Sequence, residues 1–149
     1  MKILNITINK AKVLDNVSLA TAYTGVKNGS ETGFYERVST VSEDDKLLDR
    51  FWKESIGEIT DKLRPFIQVC RSGGEELELT MEVSNSYDDA LTETIKEDLK
   101  GSLTAGITAR WFQITFPEKA REMEEQARVL AGRVYANLYY RKRPRKDKF

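Results

Sequence analysis

The sequence predicts an α+β domain that is mainly helical, a bundle of about four helices with a small antiparallel β-sheet. Apolar residues recur every three or four positions over most of the chain, whereas strict alternation is confined to two short stretches. The 149 residues are 40% hydrophobic and 32% charged, which suits one domain with a modest core and a charged surface. We expect residues 1–140 to form that domain and residues 141–149 to form a basic C-terminal tail.

The first elements are a strand and a helix. Residues 2–8 place an apolar side chain at every second position, which is typical of a strand with one buried face. From about Lys10 the period changes to three and four, so we expect a helix that ends near Gly25. Residues 28–33 are rich in turn-forming residues and predict a loop.

The second helix has clear start and stop signals. Ser42 lies three residues before Asp45, which is the spacing of a capping box. Pro65 cannot continue a helix and restricts the residue before it, so the helix should end near Arg64.

A pair of strands should follow. Residues 66–70 form an apolar run, a turn signal covers residues 72–74, and apolar residues alternate with polar ones over residues 77–83. Cys70 belongs to the apolar run, so we expect it in the core. The polar face of the later strand carries a row of acids that could bind a divalent cation, although a solvated face, the lining of a lumen or a surface that meets a partner is the better interpretation. The row consists of Glu76, Glu78 and Glu82.

The third helix should open at Ser86, with Asp89 completing a second capping box. Apolar residues then recur at every fourth position from Leu91 to Trp111. A four-residue step drifts by about 40° per repeat on a helix of 3.6 residues per turn, so this helix should meet several neighbours. Leu103 and Trp111 are expected core residues.

The fourth helix should begin near Phe116, directly after a break in the chain. Thr115 and Glu118 bracket Pro117 in the spacing of a third capping box. An apolar stripe then continues to Leu138.

Catalytic chemistry has little support in this sequence. There is no histidine, so the commonest general base and metal ligand is missing, and Cys70 has no histidine to activate it. The acid pairs Asp44-Asp45 and Asp88-Asp89 each lie beside an expected helix start, where capping is the better interpretation than a metal site. We therefore expect a protein that is not an enzyme and has no cofactor, no metal and no membrane span.

Charge is divided unevenly along the chain. Six basic residues and one acid give residues 141–149 a net charge of +5, whereas 18 bases and 23 acids leave the rest at −5. A basic tail on an acidic body is typical of a segment that binds nucleic acid, an acidic surface or a neighbouring subunit, although a frayed terminus is also compatible. The candidate docking residues are Tyr139, Tyr140, Arg141, Lys142, Arg143, Arg145 and Lys146.

Six stretches together resemble a known class of protein. They are residues 21–25 (TAYTG), 35–38 (YERV), 42–52 (SEDDKLLDRFW), 86–92 (SYDDALT), 110–112 (RWF) and 138–144 (LYYRKRP). In this order they are similar to small structural proteins of tailed bacteriophages and prophages of gut bacteria. Within that class the layout resembles head–tail connector, or neck adaptor, proteins.

The resemblance implies a non-enzymatic virion protein, assembled in the cytoplasm of the host bacterium. It would form a ring with copies of itself at the head–tail junction and dock to the portal or to other neck and tail proteins through its C-terminal tail. Genomic DNA would pass nearby without specific binding. Adaptor, stopper and tail-completion roles all remain open. The alternative is a nucleic-acid-binding accessory protein that uses the basic tail on phosphates.

Overall fold

The computed structural model describes residues 1–27, 40 and 44–143. The described part has the predicted α+β, mainly helical architecture, with four helices and one small antiparallel sheet. The elements, in chain order, are β1 (Lys2–Asn9), α1 (Lys10–Lys27), α2 (Asp45–Lys62), β2 (Ile67–Arg71), β3 (Glu76–Val83), α3 (Thr92–Thr115) and α4 (Pro117–Tyr139), with a short 3₁₀ turn (Asp89–Leu91) before α3.

The three strands form one sheet in the order β1-β3-β2, with both pairings antiparallel. The register of β1 on β3 runs from Lys2 opposite Val83 to Asn9 opposite Glu76. The alternation in both strands is confirmed, because one face is buried in the core and the other is largely exposed. The buried residues of these two strands are Leu4, Ile6, Ile8, Leu77, Leu79, Met81 and Val83.

The apolar run before the Gly73-Gly74 turn is not a core strand, and the expectation for Cys70 is wrong. Four of the five residues of β2 are exposed, Cys70 among them. The strand lies at the edge of the sheet, and only Phe66 and Ile67 at its start pack against the core. Strand β2 packs mainly on β3 and makes no extensive contact with a helix in the described part of the chain, whereas β1, at the other edge, contacts α3, so the exposure of β2 reflects the lack of a covering helix.

Helix α3 is the centre of the molecule. It contacts α1, α2, α4 and β1, as expected from an apolar row that winds round the helix. Leu103 is fully buried and Trp111 nearly so, which confirms both as core residues. Small residues permit close approach of α2, since a Cβ atom on Gly106 would lie 3.2 Å from the Ser55 hydroxyl.

The start of α3 differs from the prediction. The helix begins at Thr92, not at Ser86, and the Asp88 carboxylate accepts a hydrogen bond from the backbone N–H of Ala90 at 3.1 Å, which caps the 3₁₀ turn. Ser86 instead lies in the turn that follows β3. The N-cap residue of α3 itself is Leu91, which makes no side-chain capping hydrogen bond, so the Asp88 cap belongs to the 3₁₀ turn that precedes the helix.

The starts and ends of the other helices agree more closely with the sequence pattern. Helix α4 begins at Pro117 as expected, but the Thr115 hydroxyl donates to the Trp111 carbonyl of its own helix at 3.0 Å, so the proposed capping box is wrong. Helix α2 ends at Lys62, just before Pro65. The predicted loop at residues 28–33 and the cap at Ser42 lie outside the described residues.

Candidate interaction surfaces

The C-terminal segment leaves the body at a fixed place. After α4, the Lys142 backbone N–H donates to the Ser86 carbonyl at 2.7 Å, and Arg141 forms an isolated antiparallel bridge with Tyr87. The segment therefore runs beside the turn after β3 instead of continuing the helix. The first two residues of the expected tail are thus attached to the body through their backbone.

The turn that receives this segment is acidic and well anchored. Tyr87 is buried, its hydroxyl lies 3.0 Å from that of Thr92, and burial together with the nearby carboxylates of Asp89 and Asp88 raises its pKa. The Lys2 ammonium lies 3.1 Å from Asp89, so one of the two carboxylates is already paired. The basic segment is therefore held to this turn through its backbone, beside Asp88 and Asp89.

The side chains of the segment point outward. Tyr139 and Tyr140 are 63% and 51% exposed, and the side chains of Arg141, Lys142 and Arg143 are exposed as well. The Arg141 guanidinium lies 5.8 Å from the centre of the Tyr139 ring, within range of a cation–π contact. The structure thus groups five of the seven candidate docking residues on one patch, which we call the exit patch (residues 139–143). Arg145 and Lys146 lie outside the described residues.

The acid row lies on the face of the sheet that the helices leave open. Glu76 and Glu78 are exposed and Glu82 is half-buried. The row is not purely acidic, because Arg71 lies opposite Glu78 and the Gln68 amide donates to the Glu82 carboxylate. At about 3.4 Å per residue, the two ends of the row are roughly 20 Å apart.

A third surface was missed by the sequence reasoning. A groove of about 840 Å³ lies between α2, α3 and α4, floored by small residues and walled by charged ones. At its centre is Arg110, whose side chain is only 17% exposed. The signal in the sequence is two glutamates one helical turn apart, Glu54 and Glu58, but it gives no indication of the arginine that would meet them.

Arg110 fastens α2 to α3 with several donors at once. It donates to Glu54 at 3.1 Å, to the Ser55 hydroxyl at 3.1 Å and to the Gly106 carbonyl at 3.2 Å, and it lies 2.6 Å from Glu58. A hydrogen bond from Arg50, together with the charges of Arg50 and Arg110, lowers the pKa of Glu54. Because one guanidinium contacts Glu54, Ser55 and Glu58 of α2, the groove has the character of a structural clamp between α2 and α3.

The described residues contain no group of three or more cysteine or acidic side chains placed to hold a metal ion. None of the helices in that part of the chain is long and apolar enough to cross a membrane. Comparison of the chain with family models, with curated proteins and with solved structures gave no match.

Proposed function

We propose that this protein is a non-enzymatic structural subunit of a tailed-bacteriophage virion. In this proposal it forms a ring with copies of itself at the head–tail junction and docks to the portal or to other neck or tail proteins through its C-terminal tail. It is assembled in the cytoplasm of the host bacterium and ends in the virion. The proposal rests on the resemblance of the six sequence stretches together with the arrangement of the exit patch.

The observation that carries the docking role is the hydrogen bond between Lys142 and Ser86. A tail that begins at a fixed point and in a fixed direction loses less conformational freedom on binding than one that hangs from a frayed helix. Exposed tyrosines beside arginines are also the residue types that protein interfaces favour. Both features suit an interface with a protein.

The acid row fits a secondary role in the same proposal. Helices cover one face of the sheet, so the face with Glu76, Glu78 and Glu82 is free to border a channel. Carboxylates along a channel repel the phosphate backbone, which would let a genome pass without being held.

The test is the incorporation of charge-neutralised protein into particles. We expect Arg141→Gln/Arg143→Gln to reduce incorporation at least about tenfold while the melting temperature stays unchanged, because both side chains are exposed. The matched control is Lys53→Gln/Arg121→Gln, which removes two exposed cations elsewhere on the body. Equal incorporation of both double variants would contradict a docking role for the exit patch.

A second measurement separates docking to protein from binding to nucleic acid. A tail that neutralises about five phosphates should bind duplex DNA with a log–log salt slope near −4 to −5. We expect no micromolar binding at physiological salt, because the body carries a net −5. Binding with that slope, lost when residues 141–149 are removed, would favour the nucleic-acid-binding alternative.

A further inference from the structure

Strand β1 lies at an edge of the sheet. The order β1-β3-β2 leaves one side of β1 without a neighbouring strand among the described residues. The strand is eight residues long and contributes Leu4, Ile6 and Ile8 to the core, so it is held firmly in place. A fixed strand with an open side is a template on which another strand can add.

The register identifies which backbone groups are open. The Glu82 N–H donates to the Phe66 carbonyl at 2.7 Å, so the even-numbered residues of β3 point their backbone groups toward β2. In an antiparallel ladder the direction alternates along the strand, so the odd-numbered residues of β3 pair with β1. Their partners are Lys2, Leu4, Ile6 and Ile8. The N–H and C=O groups that point away from the sheet are therefore those of Ile3, Asn5 and Thr7.

The two edges of the sheet differ in how they are protected. Strand β2 has five residues, and its register is shifted between Ile67 and Val69, which disrupts the ladder. Short length and bulges are common ways to blunt an edge. Strand β1 has neither, and from Ile3 to Asn9 it contains no proline and no charged residue. Ile3 is 55% exposed beside this open side.

We propose that a second copy of this chain pairs its own β1 with this edge, antiparallel and centred on Asn5. In that register Asn5 lies opposite Asn5 of the other copy, and Ile3 lies opposite Thr7. The open backbone groups of both strands then face each other and form about six hydrogen bonds. The result is a six-stranded sheet, β2-β3-β1-β1-β3-β2, across a two-fold axis.

The sequence of β1 is self-complementary for this pairing. On the helix side, Leu4 faces Ile6 of the other copy, so the two buried apolar rows join at the centre of the pairing, and Lys2 lies opposite Ile8 at each end. On the open side, no like charges oppose each other over the paired residues. For this reason we infer that the added strand is β1 of a second copy. Strand β2 of a second copy fits less well, because it is short and its register is shifted. The inference concerns the free protein and does not depend on a role in a virion.

The first test is the oligomeric state by sedimentation velocity over a range of protein concentrations. We expect a reversible dimer, and we expect Asn5→Lys to raise its Kd at least about tenfold because two ammonium groups would then face each other at the axis. The matched control is Thr80→Lys, which adds the same charge to the same face one strand further in, and should change Kd less than about threefold. A protein that stays monomeric at about 1 mM, a ladder of higher oligomers, or equal effects of the two variants would overturn the proposal.

Hydrogen exchange on the wild-type chain tests the register without any substitution. In the dilute monomer, the amides of Leu4, Ile6 and Ile8 should be protected and those of Ile3, Asn5 and Thr7 should exchange fast. At concentrations where the dimer forms, the second set should slow by at least about tenfold. If those three amides are already protected in the monomer, the edge is covered by the chain itself and the proposal fails.

Discussion

Helices α3 and α4 are almost equal in length, yet they are buried to very different extents. Of the 24 residues of α3, twelve are buried, whereas only three of the 23 residues of α4 are. Both carry an apolar stripe in the sequence. The difference arises because α3 is surrounded by the sheet and by three helices, whereas α4 packs mainly on α3. A stripe therefore predicts which side of a helix faces inward, but not how many neighbours will cover it.

The contact between these two helices is close and uses small residues. A Cβ atom on Gly101 would lie 3.0 Å from the Leu130 side chain, and the Ser102 hydroxyl donates across the interface to the Ala127 carbonyl at 2.9 Å. Near one end, Arg133 lies 3.6 Å from the largely buried carboxylate of Asp98. Helix α4 is thus held along one narrow face, and most of its surface is free.

The largest loss of stability is expected from a substitution in the middle of α3. Leu103→Ala should lower the free energy of unfolding by about 2–5 kcal/mol, because the side chain is fully buried and its loss leaves a cavity. Ile114→Ala is the control on the same helix, since Ile114 is 63% exposed. If chemical denaturation shows a loss of less than about 1 kcal/mol in the free energy of unfolding for Leu103→Ala, the placement of α3 at the centre of the core is wrong.

A smaller loss of stability is expected from a substitution in α4. Val134→Ala removes two buried carbon atoms and should cost about 2 kcal/mol in chemical denaturation. Val129, five residues earlier on the same helix, is 52% exposed, and its substitution by alanine should cost less than about 0.5 kcal/mol. Similar costs at the two valines would mean that the outer face of α4 is also covered in solution.

The Arg110 clamp between α2 and α3 should contribute less to the free energy of unfolding than the buried side chain of Leu103 or Val134. Arg110→Met removes the hydrogen bonds to Glu54 and Ser55 and should cost about 1–2 kcal/mol, because the site is only partly shielded from water. Arg128→Met breaks an exposed pair with Glu125 within α4 and should cost about 0–0.5 kcal/mol. Thermal unfolding of both variants at one salt concentration compares them, and equal losses would argue against a clamp.

The smallest effect is a dependence on pH. The pKa of Glu54 is lowered in the folded protein, first by the hydrogen bond from Arg50. The stabilisation that ionised Glu54 contributes is therefore fully present above the unfolded-state pKa of about 4.3, and it is lost as the pH falls through the folded-state pKa. Arg50→Gln should therefore destabilise the protein at pH 6 and destabilise it less at pH 3, where a larger fraction of Glu54 is protonated. Melting curves in a Glu54→Gln background should show no such difference between the two pH values.

The sequence predicted the secondary-structure elements better than the contacts that these elements make with one another. Alternation and helical periodicity identified β1, β3 and the burial of Leu103 and Trp111, because these depend on local patterns that the fold preserves. The position of Cys70 could not be predicted, since an apolar run does not show whether a helix covers the strand, and β2 packs mainly on β3. The start of α3 was misplaced for a different reason, because the Asp88 cap opens a 3₁₀ turn and α3 itself begins at Thr92 without a side-chain cap, which the capping pattern at Ser86 does not reveal.

The candidate site was predicted in composition but not in arrangement. The tyrosines and cations of the exit patch follow from charge and order along the chain, whereas the bond from Lys142 to Ser86 depends on a fold that brings residues 56 positions apart together. The Arg110 groove could not be inferred at all, because its glutamates and its arginine come from different helices. Long-range pairing of polar groups leaves little trace in one sequence.

The turn at residues 86–89 also determines how force would pass through the molecule. It holds the C-terminal segment through the Lys142 hydrogen bond and contacts the start of the first strand through the Lys2–Asp89 ion pair. Tension applied to the tail would therefore reach this turn first and, through Lys2, the start of β1. One backbone hydrogen bond contributes only about 1 kcal/mol, so the segment would detach under load long before the buried helices separate. Detachment at this turn would let the tail extend under tension while the core stays folded.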